Sequence, residues 1–141
     1  MAYVEWTEEL SIGIPQVDGE HQKLVTILNL LNEAVVMGKG TQIMGELLSQ
    51  LVENTIIHFE SEEQLMSDAE YPDLEEHQYQ HQKLVEEVGT FKQEFDDSRQ
   101  RVTHEMMEFL KFWLSRHIVV DDMAFGKYYK NCPMGLDENR D

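Results

Sequence analysis

The chain has 141 residues, 41% of them hydrophobic, and its 11 basic against 28 acidic side chains give a formal net charge of −17. The length suits one domain with a substantial core, and the charge argues against nucleic acid, whose phosphates need a basic surface, and against an anionic membrane face. No apolar run is long enough to span a bilayer, the start MAYVEWTEEL lacks the basic flank and apolar core of a signal peptide, and the lone Cys132 allows no internal disulfide, so a cytoplasmic protein is expected.

Residues 1–17 read as an extended arm that packs on the domain through Trp6, Leu10, Ile12 and Ile14, with Pro15 near its end. Asp18 is then a candidate helix cap. From there His21, Leu24, Leu28, Leu31 and Val35 step by three and four, the period of a buried helix face. Gly38-Lys39-Gly40-Thr41 ends this helix and opens a second, whose seam is Met44, Leu47, Leu51, Thr55, His58, Glu62, Leu65 and Ala69. Tyr71-Pro72-Asp73 breaks it, because proline cannot continue a helix but suits the first turn of a new one. The third helix carries Leu74, His77, His81, Leu84, Val88, Phe91 and Phe95, and Asp96 to Gln100 reads as a polar connection. The fourth runs on Val102, Met106, Leu110, Trp113 and His117, followed by Asp121, Asp122 and a short apolar tract to Tyr129. The tail 131–141 shows no period and is expected to be loosely ordered.

Short connections between four such helices predict an all-α, antiparallel up-down-up-down four-helix bundle. In that topology the starts of odd helices and the ends of even ones share one end of the bundle, so His21, His58, His77, His81 and His117 should converge there with Glu62. His104 falls at the far end and reads as a surface residue. One histidine on an apolar seam is ordinarily a satisfied core residue. Five at one level are different, because each buried imidazole needs partners and a buried carboxylate needs a counter-charge. A metal site supplies both. A mononuclear zinc site would strand some of the histidines. A ferritin-like site needs Glu-x-x-His, yet the residues three before each histidine are Asp18, Thr55, Leu74, Gln78, Arg101 and Leu114. Imidazole-rich coordination with a few carboxylates suits iron and leaves zinc, copper and manganese open.

His21, His58-x-x-x-Glu62, His77-x-x-x-His81 and His117-x-x-x-x-Asp122 resemble the ligand set of the hemerythrin family, specifically bacterial hemerythrins. Trp6, Asp18-x-x-His21, His58-Phe59, Tyr71-Pro72 and Trp113-Leu114-x-x-His117-Ile118 are similar to the family's surrounding pattern. The resemblance runs from about Trp6 to Tyr129 and makes 1–141 one hemerythrin-like domain, with an arm (1–17), a bundle with a short C-terminal segment (18–130) and a tail. It implies two iron ions that bind dioxygen reversibly. His77, His81 and His117 would hold one iron, His21 and His58 the other, and Glu62 and Asp122 would bridge them together with an oxo or hydroxo group. Of twelve octahedral positions, five imidazoles, two bridging carboxylates and that bridge fill eleven, leaving one for dioxygen on the iron with two histidines.

His117 and Asp122 raise a geometric problem, since five residues on a regular helix turn a side chain about 140° away. Both reach one centre only if the helix ends or distorts near Val120. Asp121, at spacing four, is the rival that a continuous helix favours, and the family pattern favours Asp122. Leu24, Leu28, Phe59, Trp113 and Ile118 are candidates for an apolar oxygen pocket, a role compatible with ordinary core packing. Asp18 and Glu20 are open between outer partnership with the ligands and plain capping or solvation. The expected function is an oxygen carrier or store and not an enzyme, with dioxygen as its partner and a partner protein or signalling domain left open. An oxygen- or redox-sensing domain, or iron storage and detoxification, are the alternatives. The absence of an output domain favours a stand-alone protein.

Overall fold

The computed structural model describes residues 4–97 and 104–131. Its helices are α1 (Pro15–Val36), α2 (Thr41–Asp68), α3 (Leu74–Asp97), α4 (His104–Arg116) and α5 (Met123–Asn131), with a π-helical turn over His117–Asp122 joining the last two. Arg116 and Met123, on either side of that turn, keep right-handed helical dihedrals, so α4, the π turn and α5 make one rod. The architecture is an antiparallel four-helix bundle, with no strand among the described residues. No described helix is long and apolar enough to cross a membrane.

The seams read from the sequence point inward. Leu24, Leu28 and Leu31 of α1, Leu48 and Leu51 of α2, Val88 and Phe95 of α3, and Leu110 and Leu114 of α4 are all buried. Each such side chain contributes on the order of 2 kcal/mol by leaving water. Val4, Ile12 and Ile14 of the arm are buried as well, with Trp6 and Leu10 packed against the same core. The Val4 N–H donates to Asn29 Oδ1 at 2.7 Å, and Asn29 returns a hydrogen bond to the Val4 carbonyl at 2.8 Å. The arm also crosses α5 so closely that a Cβ on Gly126 would sit 2.5 Å from the Ile12 carbonyl oxygen.

Three helix ends differ from the sequence reading. Helix α1 begins at Pro15, and its N-cap, Ile14, has no side-chain capping bond. Proline fits the first helical position because its missing N–H would have had no partner there. Asp18 therefore lies inside the first turn, where its carboxylate reaches back to accept from Ser11 Oγ (2.7 Å) and the Ile12 N–H (2.8 Å), pinning the arm instead of capping the helix. Helix α2 ends before Pro72. Glu70 adopts φ 56°, and the Glu70 and Tyr71 N–H groups donate back to the Ser67 and Met66 carbonyls, a left-handed termination that glycine usually provides and that Gly38 does provide for α1. Asp96 and Asp97 continue α3, and the rest of the expected polar connection, like the tail 132–141, lies outside the described residues.

Candidate metal centre

His21 enters from α1, His58 and Glu62 from α2, His77 and His81 from α3, and His117 and Asp122 from the π turn, and all seven side chains are buried. On α2 and α3 the four-residue spacing stacks each pair on one face. On the fourth rod the π turn solves the five-residue problem. Widening the helical repeat from i→i+4 to i→i+5 returns Asp122 to the face of His117. Asp122 Oδ2 lies 2.6 Å from His21 Nε2 and 3.1 Å from His117 Nε2, while its Oδ1 lies 3.1 Å from His77 Nε2. Glu62 Oε1 lies 3.1 Å from both His77 Nε2 and His81 Nε2. Asp121 stays outside, with Oδ2 3.5 Å from the outer nitrogen of His117.

The donor atoms fall into two groups, Glu62, His77, His81, His117 and Asp122 in one, and His21, His58, Glu62 and Asp122 in the other. Glu62 and Asp122 belong to both. Within each group the donors lie within 4.8 Å of one another. Most of the short separations are 3.1 Å, close to the spacing of adjacent corners of an octahedron with bonds of roughly 2.1 Å. His21 Nε2 and His58 Nε2 face each other at 3.1 Å, and Glu62 Oε2, His81 Nε2 and His117 Nε2 are buried without a hydrogen-bond partner. Polar atoms so placed are costly unless a cation draws them together. The residues fit a pair of metal ions.

Residues 12–129 match the hemerythrin HHE cation binding domain. The chain belongs to the hemerythrin family. It is 31% identical over 130 residues to a bacteriohemerythrin of Stenotrophomonas maltophilia (strain R551-3), covering 92% of this chain and 84% of that one. It is 33% identical over 125 residues to a bacteriohemerythrin of Pseudomonas paraeruginosa (strain DSM 24068 / PA7), covering 89% and 80%. A wild-type hemerythrin crystal structure superposes with a TM-score of 0.83 at 27% identity, over 89% of this chain and 97% of the other.

In this hemerythrin-family bundle the five imidazoles all turn Nε2 inward, and three of the outer nitrogens meet a carboxylate. His58 Nδ1 contacts Glu20 Oε1 at 2.7 Å, and Glu20 Oε2 also accepts from Ser61 Oγ at 2.8 Å. His81 Nδ1 contacts Glu63 Oε2 at 2.7 Å. His117 Nδ1 has the longer contact to Asp121. A carboxylate on Nδ1 holds the proton there, leaving the Nε2 lone pair for a metal. Glu20 thus acts as an outer partner, one of the roles the sequence left open for it, whereas Asp18 belongs to the arm. Sequence reasoning missed Glu63 altogether. Its only mark is adjacency, since Glu20, Glu63 and Asp121 each sit beside an inner residue (His21, Glu62 and Asp122).

The charges in the cluster pull in both directions. Burial works against protonation of His58, but hydrogen bonds to Asp122 and Glu20 and the charges of Glu62 and Asp122 prevail and raise it to about 9. His77 is raised to about 9 against the same opposition, by Asp122 and Glu62. His117, also opposed by burial, reaches about 10 through Asp122, Asp121 and Glu62. His81 goes the other way, to about 4, because burial dominates and the neighbouring His117 and His77 add repulsion. Burial likewise lowers His21. Burial also resists ionisation of Asp122, yet the imidazoles of His117, His21 and His58 hold it well below the usual carboxylate range. Protons on His58, His77 and His117 therefore provide the positive charge that metal ions bring, and they must leave when ions bind.

The five candidate pocket residues are all buried near this cluster or in the core beside it. Phe59 stacks flat on His81, with centroids 3.7 Å apart and an interplanar angle of 1°, and meets His117 edge-on at 5.1 Å. Trp113 lies parallel to His117 at 6.5 Å. Leu24 and Leu28 continue the α1 seam beyond His21, and Ile118 follows His117 within the π turn.

Proposed function

We propose that this chain binds dioxygen reversibly at a non-haem di-iron centre, as a carrier or store and not as an enzyme. His77, His81 and His117 would hold one iron and His21 and His58 the other, with Glu62 and Asp122 shared between them and an oxo or hydroxo group completing the bridge. The observation that carries this reading is the unequal pair of donor groups, three imidazoles against two around the same two carboxylates. The inequality leaves the His21–His58 side one donor short, which suits a small diatomic ligand. Bound iron would supply the reversible electron exchange with dioxygen that no side chain here provides.

The surrounding residues do the rest. Glu20 and Glu63 hold the His58 and His81 rings in place by 2.7 Å contacts, and Asp121 stands 3.5 Å from His117 Nδ1, an arrangement that presents the donor atoms inward before ions arrive. Phe59 stacks on His81 and Trp113 lies parallel to His117, and with the buried Leu24, Leu28 and Ile118 they would form an apolar shell. That shell keeps out water and protons that would promote irreversible loss of electrons to oxygen.

Reconstituting the metal-free chain with ferrous iron in the absence of air, and following absorption and metal content through cycles of oxygenation and vacuum, tests the reading. Two irons per chain and charge-transfer bands that return on each cycle are expected. One iron per chain, or oxidation that does not reverse, would refute it.

A further inference from the structure

Two surface cavities reach the histidine cluster from outside, one with balanced charge and one acidic. One, of about 260 Å³ between α3 and α4, is lined by the edge of His117 and by Lys83 and Arg116 together with Glu87 and Asp121. The other, of about 410 Å³, lies between the Tyr71–Asp73 turn and the π turn. Asp73, Glu76 and Asp121 line it around His77, and no lysine or arginine is among its lining residues. Tyr71, partly buried beside the His77 ring at 6.4 Å, forms another part of the wall.

Acidic residues near the start of α3 would ordinarily be put down to the helix dipole, which rewards carboxylates there. Three observations go beyond that. Asp121 comes from the opposite wall, on the fourth rod, where the α3 dipole does not act. The side chains of Asp73 and Glu76 form no ion pair or hydrogen bond with the described residues, so their charge is uncommitted. His77 is only 4% exposed, and of its two nitrogens Nε2 faces Glu62 and Asp122, while Nδ1 has no hydrogen-bond partner among the described residues in a ring that lines the cavity. One side chain thus belongs both to the donor cluster and to an acidic cavity open to solvent.

We propose that this cavity is the cation port of the centre, drawing divalent metal ions from solvent past Asp73, Glu76 and Asp121 to His77. The proposal rests on the metal-centre reading above. Carboxylates without counter-ions concentrate divalent cations at a mouth and speed their capture, an effect that salt screens. In the cavity beside His117 the cations Lys83 and Arg116 offset Glu87 and Asp121, so it draws the same ions less strongly and leaves the uncompensated acidic side as the favoured route.

The test is the rate of ferrous iron uptake by the metal-free full-length chain without air, comparing the unaltered protein with Asp73→Gln/Glu76→Gln. A second double variant, Glu46→Gln/Glu94→Gln, makes the same change in net charge at the other end of α2 and α3. The port variant is expected to load about tenfold more slowly at 10 mM ionic strength, with the ratio shrinking toward one at 0.5 M, and still to bind two ions per chain. The control pair should load at the unaltered rate. Equal rates for the port variant and the unaltered chain, or equal slowing in the control, would overturn the port. Uptake of fewer than two ions by the unaltered chain would instead overturn the two-ion centre, and a slower port variant would still support the route. Exchange of ⁵⁷Fe(II) into the loaded diferrous protein needs no metal-free chain. It should slow by a comparable factor in the port variant, because an ion crossing the mouth loses more attraction than one held in the centre, and unchanged exchange would count against the port.

Discussion

Glu63 is the outer carboxylate whose removal best separates orientation from coordination. It is 26% exposed and meets His81 Nδ1 at 2.7 Å, while His81 itself is 2% exposed and presents Nε2 to Glu62 Oε1. In Glu63→Ala the Nδ1 proton loses its acceptor and both tautomers become accessible, while the stack on Phe59 and the Nε2 approach to Glu62 remain. Losing an outer partner of this kind costs about 10- to 100-fold in metal affinity, which is roughly 1.4–2.7 kcal/mol. Because Glu63 is partly exposed and its loss opens no core cavity, helical content should be unchanged. Chelator competition on the variant is expected to show one weakened ion, on the His77–His81–His117 side, and one near its original affinity. Glu63→Gln should fall in between, since its amide oxygen still accepts from Nδ1 but carries no charge. If Glu63→Ala held both ions with unaltered affinity, the 2.7 Å contact would have no part in building the site.

Asp122→Ala should abolish two-ion binding by removing a donor common to both groups, whereas Asp121→Ala should keep both ions, with a loss smaller than that of Glu63→Ala because its contact with His117 is the longer 3.5 Å one. Metal content after gel filtration distinguishes the two, and the reverse pattern would make Asp121 the ligand. Gly126→Ala should destabilise by about 1–3 kcal/mol in denaturant unfolding, although alanine is ordinarily the better helix former by about 1 kcal/mol. The new Cβ would meet the Ile12 carbonyl at 2.5 Å, so a neutral or stabilising result would mean that the arm does not pack on α5.

Much of the bundle was legible in the chain because a buried helix face imposes a period of three and four on apolar residues. The histidines share that period, so they could be assigned to seams and, through the alternation of helix direction, to one end. Less local features were not legible. Asp18 has the chemistry of a helix cap, but Ser11 and Ile12 of the arm compete for its carboxylate, and Pro15 starts the helix a turn earlier. Glu70 in a left-handed conformation has no residue signature, because the termination is held by backbone hydrogen bonds and by Tyr128 Oη, which donates to the Ala69 and Glu70 carbonyls from the far end of the chain.

The sequence by itself determined that five histidines and Glu62 meet and on which helices, since side-chain chemistry and helical period are both local properties. It exposed the conflict between His117 and Asp122 but could not resolve it. A π turn is a shift of backbone hydrogen bonding, and it persists only where the surrounding bundle holds it in place. Only the tertiary structure decided that Asp122 turns inward while Asp121 remains outside. It also decided that Glu20 and Glu63 orient histidines on neighbouring helices, because those pairs lie 38 and 18 residues apart and meet only through helix packing.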